Sequence, residues 1–376
     1  MGSKNIGAII LAAGQSSRMG RIKALLTLKN ETFIEREVSI FRDFGIKNIV
    51  VVTGYNAKEI NNILSQLNVV EAYNPDPSRG MFSSVCIGAK YIAQLCDAFF
   101  ILPVDIPLIR PCTLDIVYKN WLKDTTRIII PSFEGVSGHP PLFPSYLTVN
   151  LINWSGEKGL HGFLKSFKNL VSNVFTPNEH MLLDIDTPKD YLNLETYIKY
   201  FDVPTPKECL ALLDNYSVSS NVKDHSIAVA LIAKTIAQKL NEKGLNINLE
   251  IVEAAGLLHD IARTEKNHSK KGAEILQDFG FFNVADAVRN HMDMCVKDDD
   301  QITAAEIVFI ADKYTLGNKF VELEERYGLK MKEYEYDVVA KKNIENKLMC
   351  ALKSKARIEK LLGVSISSLI NGGIIC

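Results

Sequence analysis

The segment IILAAGQSSRMGRIKALL, residues 9–26, joins the end of an apolar run to a loop of small, polar and basic residues. The apolar run extends from Ile6 to Leu11, which is a suitable length for a buried strand of a parallel sheet. Gly14 and the two alanines before it allow the backbone to turn sharply and to approach a ligand closely. The segment therefore predicts a strand that leads directly into a binding loop.

Hydroxyls, amides and positive charges lie close together in this loop. Ser16 and Ser17 supply hydroxyls, and Arg18 and Lys23 supply two cations. Together with backbone amides, these groups suit a triphosphate better than a neutral metabolite. The loop lacks the Gly-Lys-Ser/Thr of a Walker loop and the spacing of the dinucleotide fingerprint. The alternative is an ordinary strand-to-helix turn with solvated charges, which the density of suitable residues disfavours.

The loop resembles the signature L-A-A-G-x-S-S-R-M-G-x-x-K-x-L-L of the MobA-like nucleotidyltransferases, and in particular of the molybdenum cofactor cytidylyltransferases. The resemblance implies that the loop binds a nucleoside triphosphate, with Arg18 and Lys23 in catalytic roles. In that family Ala-Ala-Gly accompanies cytidine and Ala-Gly-Gly guanosine, so Ala13 implies CTP. Every fixed position of the signature is present: Leu11, Ala12, Ala13, Gly14, Ser16, Ser17, Arg18, Met19, Gly20, Lys23, Leu25 and Leu26.

The length and composition indicate a globular protein with two domains. The chain has 376 residues, of which 47% are hydrophobic and 23% charged. A formal net charge of −1 gives no reason to expect binding to nucleic acid or to a membrane, and no apolar run approaches the roughly 20 residues of a spanning helix. The cysteines include no C-x-x-C pair, so we expect a reducing cytoplasm and no disulfide framework. They are Cys86, Cys96, Cys112, Cys209, Cys295, Cys350 and Cys376.

Strand-like and helical segments alternate through the first half of the chain. This alternation predicts an α/β fold with a doubly wound, mostly parallel sheet. Ligands of such sheets bind outside the carboxyl ends of the strands, so we expect further site residues after the later strands. The strand-like runs are residues 6–11, 49–53, 69–73, 98–104 and 127–131.

Residues that follow the third and fourth strand-like runs extend the predicted nucleotide site. Gly80 and Ser83 begin a helix at a place that commonly admits a nucleotide, although a plain helix start is the alternative. Asp105 lies between Pro103 and Pro107 at the end of an apolar run, where a charge is costly unless it is solvated or binds a cation. Nucleotidyl transfer requires Mg²⁺, and the resemblance assigns Asp105 to Mg²⁺, to the nucleotide and to catalysis.

A segment farther along the chain resembles an acceptor-side motif of the same family. Residues 138–143, GHPPLF, match the pattern G-x-P-x-L-F. We expect His139 in this segment to be structural, because transfer of a phosphoryl-type group depends on positioning and charge rather than on a base.

Residues 183–190, LDIDTPKD, resemble the D-x-D-T-P-x-D ending of the family. Thr187 as a helix N-cap and Asp190 in the first turn explain half of this motif structurally. Asp184 and Asp186 remain, and alternation along an extended segment places both on one face. We expect Asp186 to complete the Mg²⁺ site.

The pattern changes near residues 197–206, where Val-Pro-Thr-Pro at 203–206 interrupts it. Only helical runs follow, so an all-α module succeeds the α/β one. The predicted domains are residues 1–203 and residues 204–376, the second with a core at about 221–317 and a charged helical extension.

Histidines mark this second module, which contains four of the seven in the chain. His259 and Asp260 are predicted to lie within a nearly wholly apolar helix, where an ionised Asp is expensive without a cation or a partner. The alternative is a core His that is hydrogen-bonded to its neighbour. Imidazole and carboxylate ligands together suit Fe, Mn, Zn or Ni.

The positions of these residues resemble those of the HD superfamily of metal-dependent phosphohydrolases. The resemblance implies a site for two ions that activates water against a phosphate ester, with Asp260 in a catalytic role. Arg263 stands where many members have Lys and keeps the positive charge. The implied ligands are His225, His259, Asp260, His268, His291 and Asp312.

The sequence thus predicts a cytoplasmic bifunctional protein. Its first module would transfer CMP from CTP to a phosphorylated acceptor and release pyrophosphate, and its second would hydrolyse a phosphate ester. The resemblance implies a molybdopterin-type acceptor and molybdoenzyme maturation proteins as partners, but no nucleic acid and no membrane. The alternatives are a sugar phosphate or another phosphorylated alcohol as acceptor, and an HD module that serves as a nucleotide-binding regulatory sensor.

Overall fold

The structure, a computed structural model, describes residues 4–292, 294, 296 and 301–373. Its backbone divides into two compact units, Met1–Phe201 and Asp202–Cys376. Cys295 and Cys376 lie outside the described residues. Within the described part of the chain, no helix is both long and apolar enough to cross a membrane.

The first unit is built around a mostly parallel β-sheet. Its strands are β1 (Ile6–Leu11), β2 (Thr27–Leu28), β3 (Glu31–Thr32), β4 (Asn48–Thr53), β5 (Val70–Tyr73), β6 (Ala98–Pro103), β7 (Ile128–Phe133), β8 (Val136–Ser137), β9 (Leu142–Pro144) and β10 (Val171–Phe175). Eight of them form a sheet of order β10-β7-β9-β6-β1-β4-β5, with β8 beside β7, while β2 and β3 form a separate hairpin. Only β8 and β9 run antiparallel to their neighbours in the large sheet.

The predicted α/β class and the mostly parallel sheet are confirmed. β1 lies between β4 and β6, and all of its residues are buried. Because parallel neighbours end at the same edge, the loops after β1, β4 and β6 converge there. The sequence did not indicate β9, a three-residue strand too short to show a period.

The helices of the first unit lie between its strands in the chain, as the predicted alternation requires. They are α1 (Phe33–Asp43), α2 (Ala57–Leu67), α3 (Met81–Ile92), α4 (Pro111–Lys123), α5 (Thr148–Ile152), α6 (Gly159–Ser166) and α7 (Pro188–Lys199). Thr32 and Glu35 form a capping box that starts α1, and α4 begins at Pro111, a position where proline is favourable. The caps therefore fix where each helix begins relative to the sheet edge.

The second unit is helical apart from one short hairpin. Its elements are α8 (Pro206–Asn215), α9 (Ser220–Glu242), α10 (Leu249–Leu258), α11 (His268–Asp278), α12 (Phe282–Arg289), α13 (Ala304–Lys313), β11 (Thr315–Leu316), β12 (Lys319–Phe320), α14 (Leu323–Glu333), α15 (Val338–Leu362) and α16 (Ile366–Gly373). The expectation of helices alone was therefore wrong at β11 and β12, whose two-residue strands carry no periodic signal.

Close packing of α9 on α10 brings two of the predicted ligands together. A Cβ on Gly256 would lie 2.6 Å from the Cα of Ala230, so only glycine permits this approach. His225 lies on α9 and His259 follows the end of α10 directly. The crossing therefore sets the separation of their rings, whose centroids are 5.3 Å apart.

Cysteine chemistry departs from the expectation at one position. Cys86, Cys96, Cys112 and Cys209 are free thiols. Cys350, which lies on α15, is disulfide-bonded. Cysteine spacing did not indicate this bond, because a disulfide depends on spatial proximity that spacing alone does not reveal.

Candidate functional sites

The loop after β1 folds around Ser16. The backbone carbonyl of Ser16 accepts hydrogen bonds from the amides of Met19 and Gly20, both at 3.2 Å, and its hydroxyl oxygen accepts one from the amide of Lys23 at 3.1 Å. Ser16 has a φ of +55°, in the left-handed region. A Cβ on Gly14 would meet no atom within 4 Å, so this backbone faces open space that a ligand can enter.

A cavity of about 330 Å³ lies against this loop. Of the predicted nucleotide-binding residues, all but Ser83 line it. Those that do are Leu11, Ala12, Ala13, Gly14, Ser16, Ser17, Arg18, Lys23, Gly80 and Asp105. The loop and the ends of neighbouring strands thus form one concave surface, as the parallel sheet requires.

The structure places Ser84, rather than Ser83, on the cavity wall. The Ser83 hydroxyl donates to the carbonyl of Gly80 at 2.8 Å and so serves the first turn of α3. Asn74, which is buried, donates to the hydroxyls of both serines at 2.9 Å. Ser84 is one full turn beyond Gly80, so it shares the cavity face of the helix.

Lys23 lies between two carboxylates inside the cavity. Its Nζ is 2.8 Å from Oδ2 of Asp105 and 2.5 Å from Oδ1 of Asp186. Nη2 of Arg18 is 2.8 Å from Oδ2 of Asp186. Burial alone would lower the pKa of Lys23, but its hydrogen bonds to the two carboxylates raise it, so Lys23 is an ammonium at neutral pH. The bond from Lys23 in turn lowers the pKa of Asp186.

The predicted acidic pair is close to this ion cluster. Ile185 between them is buried and its amide donates to the carbonyl of Asp105 at 2.9 Å, which holds the segment beside the end of β6. Partial burial and the charges of Asp105 and Asp186 raise the pKa of Asp184. Thr187 and Asp190 form the expected capping box of α7. Asp105 and Asp186 thus line the cavity together and Asp184 does not, and paired carboxylates suit Mg²⁺.

Sequence reasoning missed Gly54 and Tyr55, which follow β4. Tyr55 lines the cavity with 49% of its surface exposed. A Cβ on Gly54 would lie 2.8 Å from the carbonyl oxygen of Ala13, so glycine is needed where this turn packs on the loop. Their position directly after a parallel strand was the available signal. His139 does not line the cavity.

Three histidines of the second unit present ring nitrogens without partners. Nδ1 of His259 donates to the carbonyl of Gly256 at 2.8 Å, and Nδ1 of His291 donates to that of Val288 at 2.6 Å. Nε2 of His259, His268 and His291 is buried and has no hydrogen-bond partner among the described residues. A backbone bond at Nδ1 fixes the tautomer and leaves the Nε2 lone pair for a metal ion.

Asp260 lies at the centre of this cluster. Its Oδ2 is 3.4 Å from Nε2 of His259, and its Oδ1 is 3.3 Å from Nε2 of His268. Burial alone would raise the pKa of Asp260, but the neighbouring His259 and the Arg263 guanidinium hold it below its usual range. Burial and the charge of His259 lower the pKa of His291 to about 3, so that imidazole is neutral.

The ligand atoms form two groups that share Asp260. Within each group the atoms lie within 4.8 Å of one another. One group is His225, His259 and Asp260, and the other is Asp260, His268 and His291. Each of these clusters of imidazole and carboxylate could hold a metal ion.

One detail of this site differs from the prediction. His259 and Asp260 do not lie within a helix, because α10 ends at Leu258 and they form the turn that follows. Asp312 belongs to neither compact group, although its Oδ1 is 3.2 Å from Nε2 of His225. The apolar pattern continues past residue 258 and conceals the end of the helix.

Comparison with known proteins agrees with this geometry. Residues 8–172 match the MobA-like NTP transferase domain, and residues 222–317 match the HD domain. The molybdenum cofactor cytidylyltransferase of Escherichia coli (strain K12) is 30% identical over 188 residues, which are 50% of this chain and 94% of that protein. The chain belongs to the MobA-like NTP transferase family.

Other relatives match the same MobA-like unit. A probable molybdenum cofactor guanylyltransferase of Bacillus mycoides (strain KBAB4) is 35% identical over 138 residues, 37% of this chain and 66% of that protein. A nucleotidyl transferase of known structure from Methanothermobacter thermautotroptrophicus is 23% identical, with a TM-score of 0.46 over 52% of this chain and 99% of that one. The sequence-based assignment of a MobA-like unit followed by an HD domain is therefore confirmed.

Proposed function

We propose that the MobA-like unit transfers CMP from CTP to a phosphorylated acceptor and releases pyrophosphate. The observation that carries this proposal is the position of Lys23, held between Asp105 and Asp186 on the wall of a cavity that the loop after β1 also lines. A cation beside paired carboxylates suits a triphosphate that arrives with a divalent ion.

Each part of the cavity has its own task in this reaction. The loop amides, the Ser16 hydroxyl and Arg18 hold the triphosphate, and Lys23 leaves its carboxylate partners to contact the α-phosphate. Mg²⁺, when bound through Asp105 and Asp186, neutralises charge on the phosphate oxygens. An oxygen of the acceptor phosphate forms the new bond to the α-phosphorus as the bond to the pyrophosphate oxygen breaks. The acceptor phosphate is already an anion at neutral pH, so no general base is needed.

The choice of CTP and of a molybdopterin-type acceptor is supported by likeness. The Escherichia coli relative is named a molybdenum cofactor cytidylyltransferase, and Ala13 stands in the Ala-Ala-Gly sequence that accompanies cytidine in the family. Transfer to a sugar phosphate or another phosphorylated alcohol is the competing reaction. The cavity geometry favours neither acceptor, so the test must include both.

We propose further that the HD unit hydrolyses a phosphate ester. The buried and unpartnered Nε2 atoms of His259, His268 and His291, grouped around Asp260, support this activity. These residues would hold a transition metal, which supplies an activated water when bound. Arg263, with 54% of its side chain exposed and its Nη1 3.2 Å from Asp260, is placed to contact a substrate phosphate.

Product analysis tests the transferase proposal directly. The full chain is incubated with Mg²⁺, one nucleoside triphosphate at a time, and either molybdenum cofactor or a sugar phosphate, and the products are identified by mass. We expect a CMP adduct of the cofactor together with an equal amount of pyrophosphate. A GMP adduct, or an adduct of the sugar phosphate alone, would contradict the proposal.

A further inference from the structure

A buried lysine is paired with one of the candidate metal ligands. Nζ of Lys313 lies 2.5 Å from Oδ2 of Asp312, and both side chains are only 8% exposed. The same Nζ is 4.9 Å from the centre of the Phe309 ring, so this ammonium also contacts an aromatic face. A buried charge of this kind is stable only with a close counter-ion, which Asp312 provides.

A second cation contacts the same carboxylate. Nη2 of Arg326 lies 3.5 Å from Oδ1 of Asp312, and its Nη1 donates to the backbone carbonyls of Asp312 and Thr315. Burial alone would raise the pKa of Asp312, but Lys313, His225 and Arg326 hold it well below its usual range. Arg326 lies on α14, beyond residues 222–317 that match the HD domain. One negative charge therefore faces two positive ones.

The Asp260 side of the histidine and carboxylate cluster differs in the exposure of its nearby cation to water. Its cation, Arg263, is 54% exposed and therefore screened by water, whereas Lys313 is buried. A divalent ion that approaches His225 and Asp312 meets an unscreened ammonium, but an ion that approaches His268 and Asp260 does not. The two sides of the cluster thus have unequal electrostatic potentials.

We propose that Lys313 is a tethered counter-ion that satisfies Asp312 in the metal-free protein and weakens the binding of a divalent ion at the His225 and Asp312 side. The inference rests on the proposed metal-binding function of the HD unit. The Lys313 ammonium stabilises the metal-free protein and destabilises the metal-bound protein. Removal of this positive charge therefore shifts the equilibrium between metal-free and metal-bound protein toward the metal-bound form.

The test uses Mn²⁺ and neutral replacements of Lys313 in the full chain. Lys313→Met keeps the length of the side chain, and Lys313→Gln serves as a second neutral variant that retains a hydrogen-bond donor. Lys313→Arg keeps the charge, and Lys319→Met removes an exposed lysine of the hairpin as a matched control. All variants carry Asp105→Asn, so that ions bound by the first unit contribute little. Affinity is measured by competition with a coloured chelator.

We expect the neutral variants to bind Mn²⁺ at least about tenfold more tightly, with Lys313→Arg and Lys319→Met unchanged. Without metal, the neutral variants should unfold at a lower temperature than the parent, and saturating Mn²⁺ should narrow that gap. Equal Mn²⁺ affinity in parent and neutral variants, or weaker binding in the latter, would overturn the inference alone. No Mn²⁺ binding in any variant would overturn both it and the metal-binding function.

Discussion

Replacement of Asp105 by Asn should separate catalysis from folding in the transferase unit. The change removes one negative charge and keeps an oxygen that can accept the hydrogen bond from Nζ of Lys23, now 2.8 Å away. Asp186 still pairs with Lys23 at 2.5 Å, so the ammonium does not lose all of its partners. The fold should therefore persist, with a loss of roughly 1 kcal/mol or less for a partly exposed ion pair.

The effect on turnover should be far larger. Two carboxylates, Asp105 and Asp186, share one cation in the cavity, and loss of one leaves half of the negative charge available to a bridging Mg²⁺. Loss of one preorganised electrostatic contact in an active site costs about 3–4 kcal/mol, or about 10²–10³-fold in kcat. We expect kcat to fall by this factor while CTP binding is largely retained.

The assay is pyrophosphate release with CTP, Mg²⁺ and molybdenum cofactor, alongside thermal unfolding of each protein. Asp115→Asn is the matched control, because Asp115 forms an exposed ion pair with Lys119 on α4 and does not line the cavity. This control should keep full activity. A kcat of Asp105→Asn within about threefold of the wild-type value would refute the role given to Asp105.

Three further outcomes are expected. The kcat/KM with CTP should exceed the kcat/KM with GTP by at least about tenfold, and Ala13→Gly should lower this ratio. Both nucleotides are assayed with each protein. Burial and the charge of Arg110 lower the pKa of His180 from 6.5 to about 4, so its contribution to stability is complete above pH 6.5 and is lost as the pH falls toward 4. Urea unfolding should show that the free energy of unfolding falls by about 3 kcal/mol over that pH range, and His180→Gln should abolish most of this fall. Replacement of His259 and Asp260 together by Ala should remove bound metal, measured by mass spectrometry, without loss of CMP transfer.

Much of the transferase site was predictable because it follows a topological rule. An apolar run followed by small residues specifies the strand and its loop, and the parallel order then places Asp105 at the same edge. The exact face of a helix is harder to obtain. The choice between Ser83 and Ser84 depends on the residue at which α3 begins, and the sequence does not fix that residue.

The HD site shows a second limit of sequence reasoning. The resemblance to the HD superfamily indicated the candidate ligands but not their surroundings. Apolar residues resume at Ile261 and Ala262 directly after His259 and Asp260, so the sequence pattern does not mark the end of α10 at Leu258. The contact between Lys313 and Asp312 depends on how side chains pack in the interior. Their adjacency in the sequence neither requires nor excludes this contact.

The position of Lys23 links the binding of magnesium to the binding of the triphosphate. While its ammonium holds Asp105 and Asp186, it competes with a free magnesium ion for these carboxylates. A free triphosphate that drew Lys23 away would leave Asp105 without this cation and Asp186 with Arg18 alone. Binding of both ligands together would avoid this cost, because Lys23 could contact the triphosphate while Asp105 and Asp186 would hold Mg²⁺. The two affinities are thus linked, each ligand raising the other's by the same factor. The enzyme would respond to the concentration of the magnesium–nucleotide complex rather than to either component alone.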